Sequence, residues 1–153
     1  MKIKKTGFSL IEVLIFVSIL AVFFVTAAAV VTASLRAMKA NEHRIIASHY
    51  AEELLDWLRS RKEEDWQIFT ESIINDQKRC FNVIEERSSL TGSGLCDEVC
   101  SASAIGGIYT RCAQFKKEDN NPTTKVKVTV ETSWNELGVK QYVPITSYFT
   151  IWE

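Results

Sequence analysis

The chain is predicted to adopt an α+β fold: a long N-terminal α-helix, transmembrane in its first half and amphipathic in its second, packed on a C-terminal antiparallel β-sheet. Three observations lead there. From Phe8 to Leu35 the only ionisable side chain is Glu12. Apolar residues then recur at three- and four-residue steps to about Ser60, the period of a helix with one buried face. After a Ser- and Gly-rich stretch come three strand candidates, the second alternating in polarity and the third with apolar residues on one face, as strands with one buried side do.

The first element begins behind a basic start. Lys2, Lys4 and Lys5 precede Gly7 with no acid among them, which by the positive-inside rule keeps the N-terminus in the cytoplasm and sends the rest outward. Val13 to Val31 is long enough, at about 1.5 Å per residue, to match a hydrocarbon core of about 30 Å. An ordinary secretory signal has an apolar region of only about 7 to 15 residues ending at a small-residue cleavage site, which Ala27 to Ala29 imitate. Here the stretch is longer, contains an acid, and its alanines run on into helix-compatible sequence, so the helix is expected to be retained.

Beyond Leu35 the helix is expected to bury Ala47, Tyr50, Ala51, Leu54 and Leu58. Arg36, Lys39, Glu42, His43, Arg44, Glu52, Glu53, Asp56 and Arg59 form its solvated side. His43 and His49, six apart, do not share a helix face and read as surface or boundary residues rather than metal ligands. Trp57 and Trp66 read as anchors between helix and sheet. Ser88 to Gly107 is a loop region, with turn signals at Thr91-Gly92-Ser93-Gly94 and Gly106-Gly107.

The strand candidates are Ile108–Phe115, Lys125–Trp134 and Gln141–Trp152. In the second, Val126, Val128 and Val130 take one face and Lys127, Thr129 and Glu131 the other. In the third, Val143, Ile145, Phe149 and Ile151 share a face. Asn120-Asn121-Pro122 and Asn135-Glu136-Leu137-Gly138 supply the turns, and a meander follows. One modest core is what this length allows, and no internal repeat is present.

Cys80, Cys96, Cys100 and Cys112 all lie in the head. An even count in an exported, loop-rich region reads as two disulfides. Three pairings are open; Cys96 and Cys100 would bond to each other only through a tight turn, so each is expected to reach outward, to Cys80 and Cys112. The spacing C-x15-C-x3-C-x11-C lacks the paired short knuckles of a zinc site, and without C-x-x-C there is no redox motif. No metal or cofactor is expected. No Ser/His/Asp, Cys/His or paired-carboxylate constellation occurs at usable spacing, so no catalytic residues are assigned and an enzyme is not expected.

The residues Gly7-Phe8-Ser9-Leu10-Ile11-Glu12-Val13-Leu14, behind the basic leader, resemble the class III signal of type IV prepilins and related pilin-like proteins. The resemblance is specific but local. It implies cleavage after Gly7 by a membrane prepilin peptidase and N-methylation of the new terminus at Phe8. It also implies assembly with other pilin subunits, the Glu12 carboxylate pairing with the freed amine of a neighbour. The long-helix-plus-sheet layout is the one the resemblance implies too. Physically, a carboxylate inside a bilayer segment costs about 2.5 to 3.5 kcal/mol on insertion scales, so it needs a partner. The plainer alternative is that Glu12 snorkels to the nearby cytoplasmic interface.

On this reading residues 1–7 are a removed leader, 8–35 the transmembrane and assembly helix, and 36–153 an extracytoplasmic pilin-like head. The protein is placed in the cytoplasmic membrane with a single pass, then in a pilus or at the cell surface. Loss of the leader lysines changes the balance from 18 basic and 19 acidic residues to 15 against 19, a mildly acidic mature chain. No proline or glycine interrupts Phe8 to Met38, unlike many major pilins, which leans toward a minor pilin or a pseudopilin of a type II secretion or DNA-uptake apparatus. The alternative of a different class is a membrane-anchored binding domain that does not assemble. Lys116-Lys117 with Lys125 and Lys127 suggests a basic strip, but Glu118 and Asp119 follow and no aromatic residue is interleaved. A solvated loop is the expectation, and a nucleic-acid partner is not favoured.

Overall fold

The uninterrupted run of helix formers from Leu10 gives one long helix, α1 (Leu10–Glu64). The rest follows as α2 (Trp66–Ser72), β1 (Lys78–Cys80), β2 (Thr110–Lys117), β3 (Lys125–Glu136) and β4 (Val139–Thr150). This computed structural model describes residues 9–84, 90–92, 94–96, 100, 104–119 and 122–152. The chain divides into two units, Met1–Glu42 and His43–Glu153.

In the first unit the carbonyl of Ser9 accepts from the backbone N–H groups of Glu12 and Val13 at 3.0 and 3.2 Å, opening α1. Its leucines, valines, isoleucines and phenylalanines are exposed, and α1 is long and apolar enough to cross a membrane. The hydroxyls of Ser18, Thr26 and Thr32 donate back to carbonyls three or four residues earlier at 2.8 to 3.0 Å. Polar groups satisfied within the helix are what a hydrocarbon surround demands.

In the second unit, the remainder of α1 buries Ala47, Ala51, Leu54, Leu55 and Leu58; Tyr50, expected on this face, is only partly buried. The helix runs past Ser60 to Glu64, its last turn carrying the Arg61–Glu64 pair at 2.8 Å. Asp65 then caps α2 by accepting from the Ile68 N–H at 2.9 Å. The sequence pattern missed α2 because seven residues are too few to show a period; the Asp65 cap was its one local signal. Phe69 of α2 is buried between Phe115 and Phe149.

The four strands form one antiparallel sheet in the order β1-β2-β3-β4. β1, with three residues, is likewise too short to announce itself. β2 starts two residues later than expected because Ile105 and Tyr109 exchange backbone hydrogen bonds at 2.7 and 3.0 Å, turning Ile108 out to solvent. β3 and β4 close nearer the tip. Only Leu137 and Gly138 stand between them, both at positive φ (50° and 81°), as in a two-residue primed turn. Ile151 lies beyond β4 and is exposed rather than sharing the buried face of Phe149.

Val126, Val128 and Val130 of β3 are fully buried with Leu54, Leu58, Phe115 and Phe149 in one core. Among the described residues β4 is an edge of this sheet. The Ile151 N–H donates to the Thr124 carbonyl, so by the alternation of antiparallel pairs the nitrogen of Pro144 faces away from β3. Proline there costs no ladder bond and blunts the edge.

Arg111 closes the seam between α1 and the sheet. It is 2% exposed. Its Nε donates to the Phe81 carbonyl at 2.9 Å, and its Nη1 to the Tyr50 carbonyl and Glu53 Oε2 at 3.0 and 2.9 Å. Burial pushes the guanidinium below its ordinary pKa, and the hydrogen bond to and charge of Glu53 oppose that; an arginine remains charged regardless. Glu53 was expected on the solvated side and is half exposed, so its carboxylate can return to water. Arg111→Leu is therefore expected to lower stability by about 3 kcal/mol, through buried carbonyls left unpaired. Glu53→Gln should cost about 1 kcal/mol or less. Denaturant midpoints of the oxidised proteins measure both.

Candidate functional site

The site residues named from the sequence fall in two places, one in each unit. In the first, Glu12 lies in the opening turn of α1, flanked by the exposed side chains of Leu10, Ile11, Val13 and Leu14. A carboxylate in a first turn is favoured by the positive end of the helix dipole. Within a bilayer it would still lack the water that ordinarily solvates it, and thus favour a cationic partner. Gly7 and Phe8, to which processing and the freed amine are assigned, lie outside the described residues.

The second constellation is the cysteine cluster. Cys80 is bonded to Cys100 and Cys96 to Cys112, so Cys96 and Cys100 each reach outward rather than to one another. Cys80 and Cys112 face each other directly across β1 and β2, and their two bonds pin the intervening loop to the sheet. The sulfurs of Cys96, Cys100 and Cys112 lie within 4.8 Å of one another. They are consumed in disulfides, however, and a metal needs the thiolate.

Two further residues make this brace: Asn82, which no sequence pattern marked, and Gly92, read only as part of a turn. Asn82 is buried; its Oδ1 accepts from the Arg111 N–H at 2.7 Å and its Nδ2 donates to the Cys100 carbonyl at 2.6 Å. Gly92 has φ +66°, and a Cβ there would stand 2.5 Å from the Cys80 carbonyl oxygen. Only glycine fits that approach.

His43 is more than a surface residue. Its Nδ1 lies 2.7 Å from the Tyr109 hydroxyl, and its ring is near Trp134. Together with Tyr50 these rings close one end of the core. His49 is exposed. Trp66 anchors as expected, donating from Nε1 to the Thr123 carbonyl at 2.9 Å, and Trp57 packs on Phe81. Lys116 and Lys117, expected in a solvated loop, end β2 instead, while Lys125 and Lys127 open β3, the strand expected from Lys125 onward. Cross-strand pairing placed them there, with Lys116 directly opposite Lys127.

The N-terminus thus combines a basic start with an apolar helix that carries one early carboxylate. Residues 2–28 match the family described as the prokaryotic N-terminal methylation motif, the class III signal peptide of type IV pilins. The long apolar helix fits a pilin and fits membrane anchoring. Comparison with curated proteins and with solved structures gave no match.

The brace yields a prediction. Replacing Cys80 and Cys100 together by serine should cost about 3 kcal/mol, as expected for a loop of this length. Gly92→Ala should cost about 1 kcal/mol or more. Urea unfolding followed by tryptophan fluorescence measures both.

Proposed function

We propose that this protein is a minor pilin-like subunit. The leader 1–7 is removed after Gly7 by a prepilin peptidase, Phe8 is N-methylated, and the chain sits in the cytoplasmic membrane with its head outside. It then joins, or primes, a pilus fibre through its N-terminal helix. Residues 8–35 form the membrane and assembly segment and 36–153 the head; the role is structural rather than catalytic. The observation that carries this reading is the methylation motif at residues 2–28 combined with Glu12 as the lone ionisable side chain from Phe8 to Leu35.

The mechanism follows from charge. Cleavage after Gly7 would create a cationic amine at Phe8, four residues from Glu12. Between chains, Glu12 of one subunit can neutralise the amine of the next. In a medium of low dielectric an unpaired charge is strongly disfavoured, so the pair fixes how far one helix slides along another. Helices without another ionisable side chain in this segment, their hydroxyls bonded to their own backbone, have little else to set their register.

A helix free of proline and glycine from Phe8 to Met38 supports a minor subunit over an abundant one, since no breaker is present to let it unwind. A pseudopilin of a secretion or DNA-uptake apparatus uses the same processing and the same helix. Imaging of extended fibres with and without the gene separates the two.

Glu12→Ala is expected to leave membrane insertion intact while reducing incorporation into fibres; unchanged incorporation would contradict the charge pairing. Replacing Gly7 by a bulky residue should leave the leader attached. Mass spectrometry of the N-terminal peptide reads this directly, and a normally trimmed product would move the cleavage site elsewhere.

A further inference from the structure

The helical and sheet parts of the head differ in charge. The four strands carry eight basic and two acidic residues, whereas residues 43–72 carry seven acids and four basic side chains. The sheet's outer face, turned away from α1, presents a row in register: Lys116, Lys127 and Tyr148 from β2, β3 and β4. Like charges directly opposite one another on a sheet destabilise it. Among the described residues neither Lys116 nor Lys127 has an ion-pair partner, while the neighbouring Lys125 is held by Glu118 at 2.8 Å.

On α1 the complementary surface is equally ordered. Glu52, Asp56, Arg59 and Glu63 lie within a narrow stripe at about 100° per residue, on the side opposite Ala47, Leu54 and Leu58. Asp56 and Arg59 pair at 3.0 Å. Glu52 and Glu63 are exposed and have no partner among the described residues. One surface thus has surplus cations and the other surplus carboxylates, and both belong to the same chain.

We propose that the Lys116–Lys127–Tyr148 row of one copy docks the Glu52–Asp56–Arg59–Glu63 stripe of a second copy. A contact between two different patches of identical subunits is heterologous, so a few copies can follow one another head to tail. Charge complementarity of this kind sets orientation and partner choice more than raw affinity. It would add a contact between heads to the helix register set by Glu12, and it rests on the assembly reading. A polyanion such as single-stranded nucleic acid is the competing occupant. The Tyr148 ring already carries Lys125 Nζ at 4.3 Å from its centre, which leaves it a poor platform for base stacking.

The test uses the full chain, produced with a prepilin peptidase in two isotopic forms and reconstituted together in one membrane. A zero-length carbodiimide reagent joins lysines to carboxylates in contact, and mixed-isotope peptides identify links between copies. Links from Lys116 or Lys127 to Glu52, Asp56 or Glu63 are expected. The double variant K116E/K127E should reduce head-to-head association about tenfold, and adding E52K/E63K should restore it. Absence of such links, failure of the reversed pair to restore association, or protection of these lysines by a single-stranded oligonucleotide instead would each overturn the proposal. The N-terminal peptide is read in the same sample. Trimmed chains without these links sink the head contact alone, whereas untrimmed chains sink the assembly reading.

Discussion

Most of the second unit depends on one seam, where Leu54 and Leu58 of α1 meet Val126, Val128 and Val130 of β3. Neither surface is stable by itself. A helix segment needs its apolar face covered, and a sheet needs something over its buried side. The aromatic rings of Phe69, Phe81, Phe115 and Phe149 fill the space between. Arg111 spans the same seam with polar contacts, tying α1 through Tyr50 and Glu53 to the β1 side of the sheet through Phe81. Such a group is destabilising to bury unless every donor finds an acceptor. Its contacts are directional, so they select one position of helix on sheet where apolar packing alone would tolerate several.

The disulfides act on the other side of the sheet. A loop rich in Ser and Gly has little apolar surface with which to hold itself against strands, and its conformational entropy is large. Two bonds from Cys80 and Cys112 to Cys100 and Cys96 remove much of that freedom. Asn82 links this brace to the seam, since its two side-chain bonds reach Arg111 and Cys100. Packing on one face and covalent closure on the other are thus linked through the buried Asn82 amide.

The first unit follows different physics. Its large apolar side chains are exposed along α1, and its hydroxyls are turned back onto the helix backbone. Such a surface suits lipid or the helices of neighbouring subunits. From Phe8 to Leu35 only Glu12 is ionisable, and a lone carboxylate in that setting is the feature from which the proposed assembly role follows. The charged surfaces of the head extend the same logic outward, because they offer contacts where water and salt soften each pair and several must act together.

The sequence by itself determined the elements that have a period or a strong local signature. The apolar run made α1, the valine alternation made β3, and the motif at residues 2–28 was legible in Gly7, Phe8 and Glu12. These signals depend on neighbours along the chain, so no tertiary information is needed to see them. Residues acting at long separation stayed hidden. Arg111 looked like any strand cation until Tyr50, Glu53 and Phe81 surrounded it, and Gly92 like any loop glycine until Cys80 came close. α2 and β1 were too short to show a repeat. Lys116 appeared as part of a solvated loop until strand pairing set it opposite Lys127, with Tyr148 next in the row. Which cysteine bonds which, and which charges share a face, are set by contacts between residues far apart in sequence. That is why only the tertiary structure decided them.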